Sequence, residues 1–314
     1  MLRMTAVLAA AVAATLAVLA VPARSDAKYR VAVGLGDQQT MTLTQPLFIA
    51  TQIKRLRYFI PYNAIHSRSR MQAVEDYVRT ASSRGMSVMI HISTNDLRIR
   101  RGRLPSARGY RRDVGRLVRR LRPMGVREWG VWNEANHASQ PTWNHPKRAA
   151  AYYRQMRRIC RGCRIVALDV LDQRGVDRYI SRFYQALPRN LRRSARFVGI
   201  HNYSDVNRRR TTGTRLIMRS VRRYVRSPHF WLTETGGVVE LGRSFRCSER
   251  RAANRLKYLF RILKAYRHSI DRAYVYNWFG TDCRTRMDTG LVNKDGSARR
   301  GYRTLRVGLR SFTR

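Results

Sequence analysis

Two glutamates stand where they could do chemistry. Glu134 closes the run Trp129-Gly130-Val131-Trp132-Asn133-Glu134, and Glu234 sits at the end of Trp231-Leu232-Thr233-Glu234-Thr235. The chain holds only six Glu and 13 Asp, against 58 Arg and six Lys. A carboxylate that ends an apolar run is therefore uncommon here, and a second one makes a pattern. Two facing carboxyl groups can divide acid and base work when their surroundings separate their proton affinities. Across a glycosidic bond, one would protonate the leaving oxygen while the other attacked the anomeric carbon.

Other polar residues end neighbouring apolar runs. Arg57 lies in Arg57-Tyr58-Phe59-Ile60-Pro61, His91 in Ser87–Ser93, Asn133 beside Glu134, and His201 and Tyr203 in His201-Asn202-Tyr203. Trp278 ends Tyr276-Asn277-Trp278. A buried Arg57 would keep a partner carboxylate ionised, and Tyr203 could hydrogen-bond the same group. Asn133 is placed to hold a sugar hydroxyl, and Trp278 to offer an apolar face to a pyranose ring. Taken singly, each has a plainer reading. A lone Glu at a strand end is commonly a helix-cap neighbour, an inward His a satisfied structural group, and Trp132 and Trp231 read as core. The ordered set carries the argument.

The elements that would position these residues alternate regularly. Strand candidates are Arg30–Leu35, Leu56–Pro61, Ser87–Ser93, Glu128–Asn133, Arg164–Leu171, Phe197–Asn202, Phe230–Thr233 and Ala273–Trp278. Helix-period segments lie between them: Arg70–Arg84, Ala107–Arg122, His145–Ile159, Val176–Leu187, Thr214–Val225 and Ser248–His268, with a last helix from Arg300. The connection Gln38–Lys54 is less clearly helical. Near-continuous apolar strands, each followed by a helix, imply a parallel sheet buried on both faces. Eight such units predict a single (β/α)8 barrel over residues 28–314, with the site at the C-terminal strand ends. The competing doubly wound sheet would announce a nucleotide loop, and Gly34-Leu35-Gly36-Asp37 is only a fragment of one.

In this order the residues resemble the retaining glycoside hydrolases of clan A, most closely the cellulase-like family 5. That pattern has Arg on strand two, His on three, Asn-Glu on four, His-x-Tyr on six, Glu on seven and Trp on eight. These fall on Arg57, His91, Asn133, Glu134, His201, Tyr203, Glu234 and Trp278. The stretch Gly290–Gly296, with Arg299 and Tyr302, also resembles the loop leading to the last helix in the clan. The resemblance implies that Glu134 is the general acid/base and Glu234 the nucleophile, oriented by Arg57, Asn133, His201 and Tyr203. It implies double displacement with retention, no metal or cofactor, and carboxyl groups about 5–5.5 Å apart. Ala135, where many family 5 members have Pro, and Gly236-Gly237 after the nucleophile depart from the pattern. They leave the clan's xylosidase and iduronidase family open.

The N-terminus predicts export. Arg3, the uncharged run Thr5–Val21 and the small residues of Pro22-Ala23-Arg24-Ser25-Asp26-Ala27 read as a signal peptide over 1–27, cleaved after Ala23 or Ala27. The apolar run is slightly long, so retention as an anchor is the alternative. Four cysteines agree with an oxidising compartment, and the expected disulfides are Cys160–Cys163 and Cys247–Cys283. A zinc site would need a second ligand pair, which nothing nearby supplies.

The formal net charge of +45 has two readings. It is ordinary solvated surface biased toward Arg, or it promotes adhesion to anionic envelope polymers. Without a basic tail, zinc-finger spacing or RNA-binding aromatic signature, specific nucleic-acid recognition is not expected. The reading is a secreted or envelope-associated monomer acting on a polysaccharide or glycoconjugate. Alternatives are a barrel that binds carbohydrate or polyanion without turnover, and a transglycosylase, which differs only in its acceptor.

Overall fold

Residues 29–314 are described by a computed structural model, and the expected signal peptide over 1–27 lies outside them. The strands are β1 (Tyr29–Gly36), β2 (Arg55–Pro61), β3 (Ser87–Ser93), β4 (Glu128–Gly130), β5 (Arg164–Leu171), β6 (Phe197–His201), β7 (His229–Thr235) and β8 (Ile270–Tyr276). Neighbours pair in parallel in chain order, and β8 returns to β1 with Ala32 opposite Arg272 and Gly36 opposite Tyr276. The sheet is closed, as the eight-unit pattern predicts. The fold is a (β/α)8 barrel.

The outer layer comprises α1 (Arg68–Ser83), α2 (Ala107–Leu121), α3 (Pro146–Ile159), α4 (Val176–Gln185), α5 (Thr212–Arg222), α6 (Glu249–Ala265) and α7 (Arg300–Gly308). Three of these start on serine caps: Ser67, Ser106 and Ser248 accept from the backbone N–H of Arg70, Gly109 and Arg251. Helical periodicity turns one stripe inward. In α2 that stripe is Tyr110, Val114, Leu117, Val118 and Leu121, leaving the arginines outside.

Strand alternation makes two separate cores. The larger lies between strands and helices. A smaller one, Met89, Val166, Trp231 and Tyr274, fills the barrel interior. Beneath the site, Arg272 stacks 4.0 Å from the Trp231 ring centroid and pairs with Glu128, whose other oxygen takes Arg164 at 2.7 Å. This floor is charged yet satisfied, as burial of such groups requires.

Several elements differ from expectation. β4 stops at Gly130 rather than Asn133, and Tyr203–Arg208 forms a short helix directly after β6. The Gln38–Lys54 connection contains a 3-10 turn, Thr40–Thr44, and a one-turn helix, Pro46–Ile49. The loops after β7 and β8 meet in a small antiparallel ribbon, Leu241 opposite Met287 and Glu240 opposite Asp288. Both expected disulfides are present, with Cα separations of 5.5 Å for Cys160–Cys163 and 5.9 Å for Cys247–Cys283. The second ties the ribbon's two loops together. Among the described residues no helix is long and apolar enough to cross a membrane.

Candidate active site

Seven of the eight site residues expected from sequence converge at the C-terminal ends of the strands. Arg57 on β2 lies at the centre, fully buried. Its Nη1 donates to Glu234 Oε2 at 2.9 Å, its Nε to His91 Nδ1 at 3.2 Å, and its Nη2 to Asn133 Oδ1. Tyr203 Oη donates to the other oxygen of Glu234, Oε1, at 3.0 Å. Both oxygens of Glu234 are thus held by fixed donors.

The reach of β7 depends on an irregularity. Gly199 pairs with Trp231 but His201 with Glu234, so β7 carries one extra residue there. A bulge of this kind re-aims side chains. It lets consecutive residues both serve the interior: Thr233 donates to Asp169 Oδ2 while Glu234 meets Arg57.

Glu134 is positioned through its backbone as well as its side chain. Its φ of +45° is left-handed, a conformation that a non-glycine residue adopts only when its surroundings impose it. The Glu134 N–H donates to Asp169 Oδ1 at 2.9 Å, and the Ala135 N–H to the Asp169 carbonyl at 2.9 Å. Its side chain accepts from His201 Nδ1 at 3.1 Å. An oxygen of Glu134, an oxygen of Glu234 and a ring nitrogen of His201 all lie within 4.8 Å of one another.

Asp169, which the sequence reading did not single out, joins these parts. It is 0% exposed. His201 Nε2 lies 3.0 Å from its Oδ1, and His91 Nε2 3.7 Å from its Oδ2. Two glycines make room for this packing. A Cβ at Gly199 would lie 2.1 Å from Asp169 Oδ2, and one at Gly130 would lie 2.2 Å from the His91 ring.

The charges follow from these contacts. Burial alone would lower the His201 pKa, but Asp169, then Glu234, and the hydrogen bonds to Asp169 and Glu134 push it up to about 10. His201 is an imidazolium. Burial likewise works against the Asp169 carboxylate, yet His201, then His91 and Arg57, hold it far below the ordinary range. Burial, together with the Arg57 and His201 charges, lowers His91 to about 3 against the pull of Asp169. Its neutral ring accepts from Arg57 on Nδ1 and carries its proton on Nε2, toward Asp169. For Glu134, burial raises the pKa, but the hydrogen bond and charge of His201, then the charge of His137, bring it below the usual value.

Trp278 is the exception among the expected residues. It is 0% exposed. Its indole N–H donates to Gln45 Oε1 at 2.9 Å, and its ring packs edge-on against Phe48 and Tyr302. It presents no face to the mouth, because the connection after β1 and helix α7 cover it. Trp132 and Trp231 are core, as expected, each 1% exposed. Glu134, His201 and Glu234 could converge on a metal ion among the described residues. A protonated His201 and the Arg57 guanidinium already place positive charge there, which works against a cation.

No protein-family model and no curated protein sequence matches the chain. Solved structures match it in shape. A family 39 glycoside hydrolase from the gut symbiont Bacteroides cellulosilyticus WH2 superposes with a TM-score of 0.63 at 14% identity, over 91% of this chain and 64% of that one. The chain therefore spans just under two thirds of that relative's length. A family 10 endoxylanase retrieved from a sugarcane soil metagenome gives a TM-score of 0.63 at 12% identity, over 89% of this chain and 96% of that one. A family 113 β-1,4-mannanase gives a TM-score of 0.60 at 13% identity, over 90% and 99%. These structural neighbours are clan A glycoside hydrolases. At such identities the likeness is one of fold.

Proposed function

We propose that the protein is a retaining glycoside hydrolase, with Glu234 as the nucleophile and Glu134 as the general acid/base. The observation that carries this reading is the approach of the two carboxyl groups, with one oxygen of each within 4.8 Å of the other. Retaining enzymes hold their carboxyl groups about 5–5.5 Å apart, whereas inverting ones leave about 6.5–9.5 Å for a water. The fold shared with xylanases and a mannanase supports the same class.

In the first step a Glu234 oxygen bonds to the anomeric carbon as the glycosidic C–O bond breaks. Glu134 gives its proton to the leaving oxygen. Before that transfer the proton is held by His201, whose pKa is pushed up to about 10, against burial, by Asp169 and Glu234. Its passage across the 3.1 Å contact from Nδ1 to Glu134 Oε1 converts Glu134 to the acid and leaves a neutral imidazole. In the second step Glu134, now a carboxylate, takes a proton from water. The water oxygen bonds to the anomeric carbon and frees Glu234. Arg57 and Tyr203 fix the nucleophile throughout, and Asn133, held by Arg57, faces the sugar beside it.

The substrate is proposed to be a β-linked polysaccharide or glycoconjugate, met outside the cell. The two disulfides suit an oxidising location. The ordered strand-end residues resemble the family 5 pattern, while the neighbours above come from families 39, 10 and 113. The assignment is therefore made at the level of the clan.

The test is glycan release from β-glucans, mannans, xylans and bacterial envelope polymers, comparing the wild type with Glu234→Gln. The variant should lose activity by on the order of 10³-fold or more, as removal of a covalent nucleophile does. Proton NMR of the first-formed sugar should show the starting anomer. Unchanged turnover in Glu234→Gln, or the opposite anomer, would overturn the assignment.

A further inference from the structure

Helix α6 begins at the rim of the site, where Ser248 follows the disulfide-bonded Cys247 in the loop after β7. From there it runs down the side of the barrel. Together with Arg209 from the loop after β6, it lines a groove of about 610 Å³. The groove carries Arg209, Arg250, Arg251, Arg255, Lys257 and Arg261, and its lining includes no Asp or Glu.

The sequence makes this surface a track. Arg250, Asn254, Lys257 and Arg261 are spaced by four, three and four residues, so they share one exposed face of α6. At 1.5 Å per residue that face extends over roughly 16 Å. Its cations are unbalanced among the described residues. The one acid of α6, Glu249, is drawn away by Arg299 at 3.7 Å and by the Arg300 N–H. Arg255 Nε is buried without a partner. Burial, then the charge of Arg255, pushes the adjacent Arg251 guanidinium down, as crowded cations require. Elsewhere the surface does provide carboxylates: on α2, Arg112 meets Asp113 at 2.8 Å and Arg120 meets Glu75 at 2.7 Å.

A concave, uncompensated row of cations focuses potential and collects anions. We propose that the α6 groove binds an acidic polysaccharide, holding a polyanionic glycan segment along the side of the barrel from the rim of the site downward. Tyr258 is the one aromatic residue in the lining, so the ladder of stacking rings on which single-stranded nucleic acid is held is missing. The choice of a glycan rests on the glycosidase reading, whereas the binding itself does not.

The experiment measures retention of the full chain on immobilised polygalacturonate over a range of NaCl concentrations. The groove variant is Arg250→Ser/Lys257→Ser/Arg261→Ser. The control removes equal charge from α2, Arg108→Ser/Arg111→Ser/Arg119→Ser. The groove variant should bind about tenfold or more weakly at low salt and with a shallower salt dependence, since fewer counterions are exchanged. The control should stay within about twofold of wild type. Arg250→Lys/Arg261→Lys, which keeps the charge, should retain binding and guards against a folding defect. Equal losses in groove and control variants would make the adhesion diffuse and overturn the proposal, as would no loss in either. Tighter retention on double-stranded DNA of matched charge would also overturn it, in favour of a nucleic acid. Turnover is not read, so Glu234→Gln should bind as wild type does, and the outcome stands apart from the test of the glycosidase reading.

Discussion

The backbone N–H of Glu134 donates 2.9 Å to the side chain of Asp169, so the residue that presents the acid/base carboxylate beyond β4 is held by a carboxylate on β5. One buried group thereby sets two properties of Glu134. It stabilises the left-handed backbone that aims the side chain inward, and it anchors the His201 imidazolium that Glu134 accepts from. Asp169 touches no substrate in this scheme and acts as a positioning residue.

Replacing it is therefore expected to move a pH profile as well as a rate. Asp169→Asn removes the largest of the influences raising the His201 pKa from its ordinary 6.5 to about 10. The alkaline limb of kcat/KM should shift toward lower pH, and kcat should fall by about 10- to 100-fold, the scale on which removal of an orienting group acts. Rates measured across pH 5–10 would check this. A lower rate with an unmoved alkaline limb would reduce Asp169 to a scaffold role.

Stability should fall on the alkaline side, for reasons that can be signed group by group. His201 binds its proton more tightly folded than unfolded, so its contribution is complete below about 6.5 and is lost as pH rises through about 10. Burial raises Asp172 to about 7 and Asp37 to about 6, against the hydrogen bonds from nearby backbone N–H groups. Raised carboxyls act the same way: their contribution is present below the ordinary 3.8 and is lost as pH climbs through 6 and 7. Asp169 and Glu134 act oppositely, losing theirs as pH falls below the ordinary carboxylate range. Each tenfold change in proton affinity is worth about 1.4 kcal/mol. Thermal melts should therefore show a maximum between about pH 4 and 6 and a decline toward pH 10. A maximum above pH 8 would contradict this balance.

What the sequence revealed, and what it concealed, divides by the range of the interactions. β3 and β5 end where expected, at Ser87–Ser93 and Arg164–Leu171, because local composition changes sharply at those points. The Glu pair was legible because a carboxylate closing an apolar run is rare in this chain. The turn at Glu134 beyond β4 is held by a bond to Asp169, 35 residues ahead, which no local window contains. Asp169 itself left one signal, a lone acid within the apolar stretch Ile165–Leu171. Trp278 was placed at the correct strand end, but its cover comes from Gln45 and Phe48, more than 200 residues earlier.

That cover makes a prediction about Trp278. A sugar platform would raise KM when trimmed, whereas a packed indole should mainly stabilise the fold. Trp278→Phe leaves Gln45 Oε1 without its donor and opens space beside Phe48 and Tyr302. The cost should be about 1–3 kcal/mol, with KM within about threefold of wild type. Paired melting and steady-state measurements separate the two roles. A large rise in KM at unchanged stability would restore the platform.

The two disulfides should differ in weight because they close loops of different length. Cys247–Cys283 spans 36 residues, and Cys160–Cys163 spans three. In the chain-entropy account the longer loop contributes about 4 kcal/mol and the shorter about 1.5 kcal/mol. The longer one also holds the loop around Asp288, which accepts from the N–H groups of Thr281, Cys283 and Gly290 and from Arg299. These contacts lie in the segment that leads from β8 to α7, next to the covered Trp278. Cys247→Ser/Cys283→Ser should accordingly lower Tm by roughly 5–10 °C, and Cys160→Ser/Cys163→Ser by less than half as much. The Arg57–Glu234 and His201–Glu134 contacts are made from other elements, so residual activity at 25 °C should remain in both variants. Equal Tm losses would mean that strain or residual unfolded structure, rather than loop closure, governs both bridges.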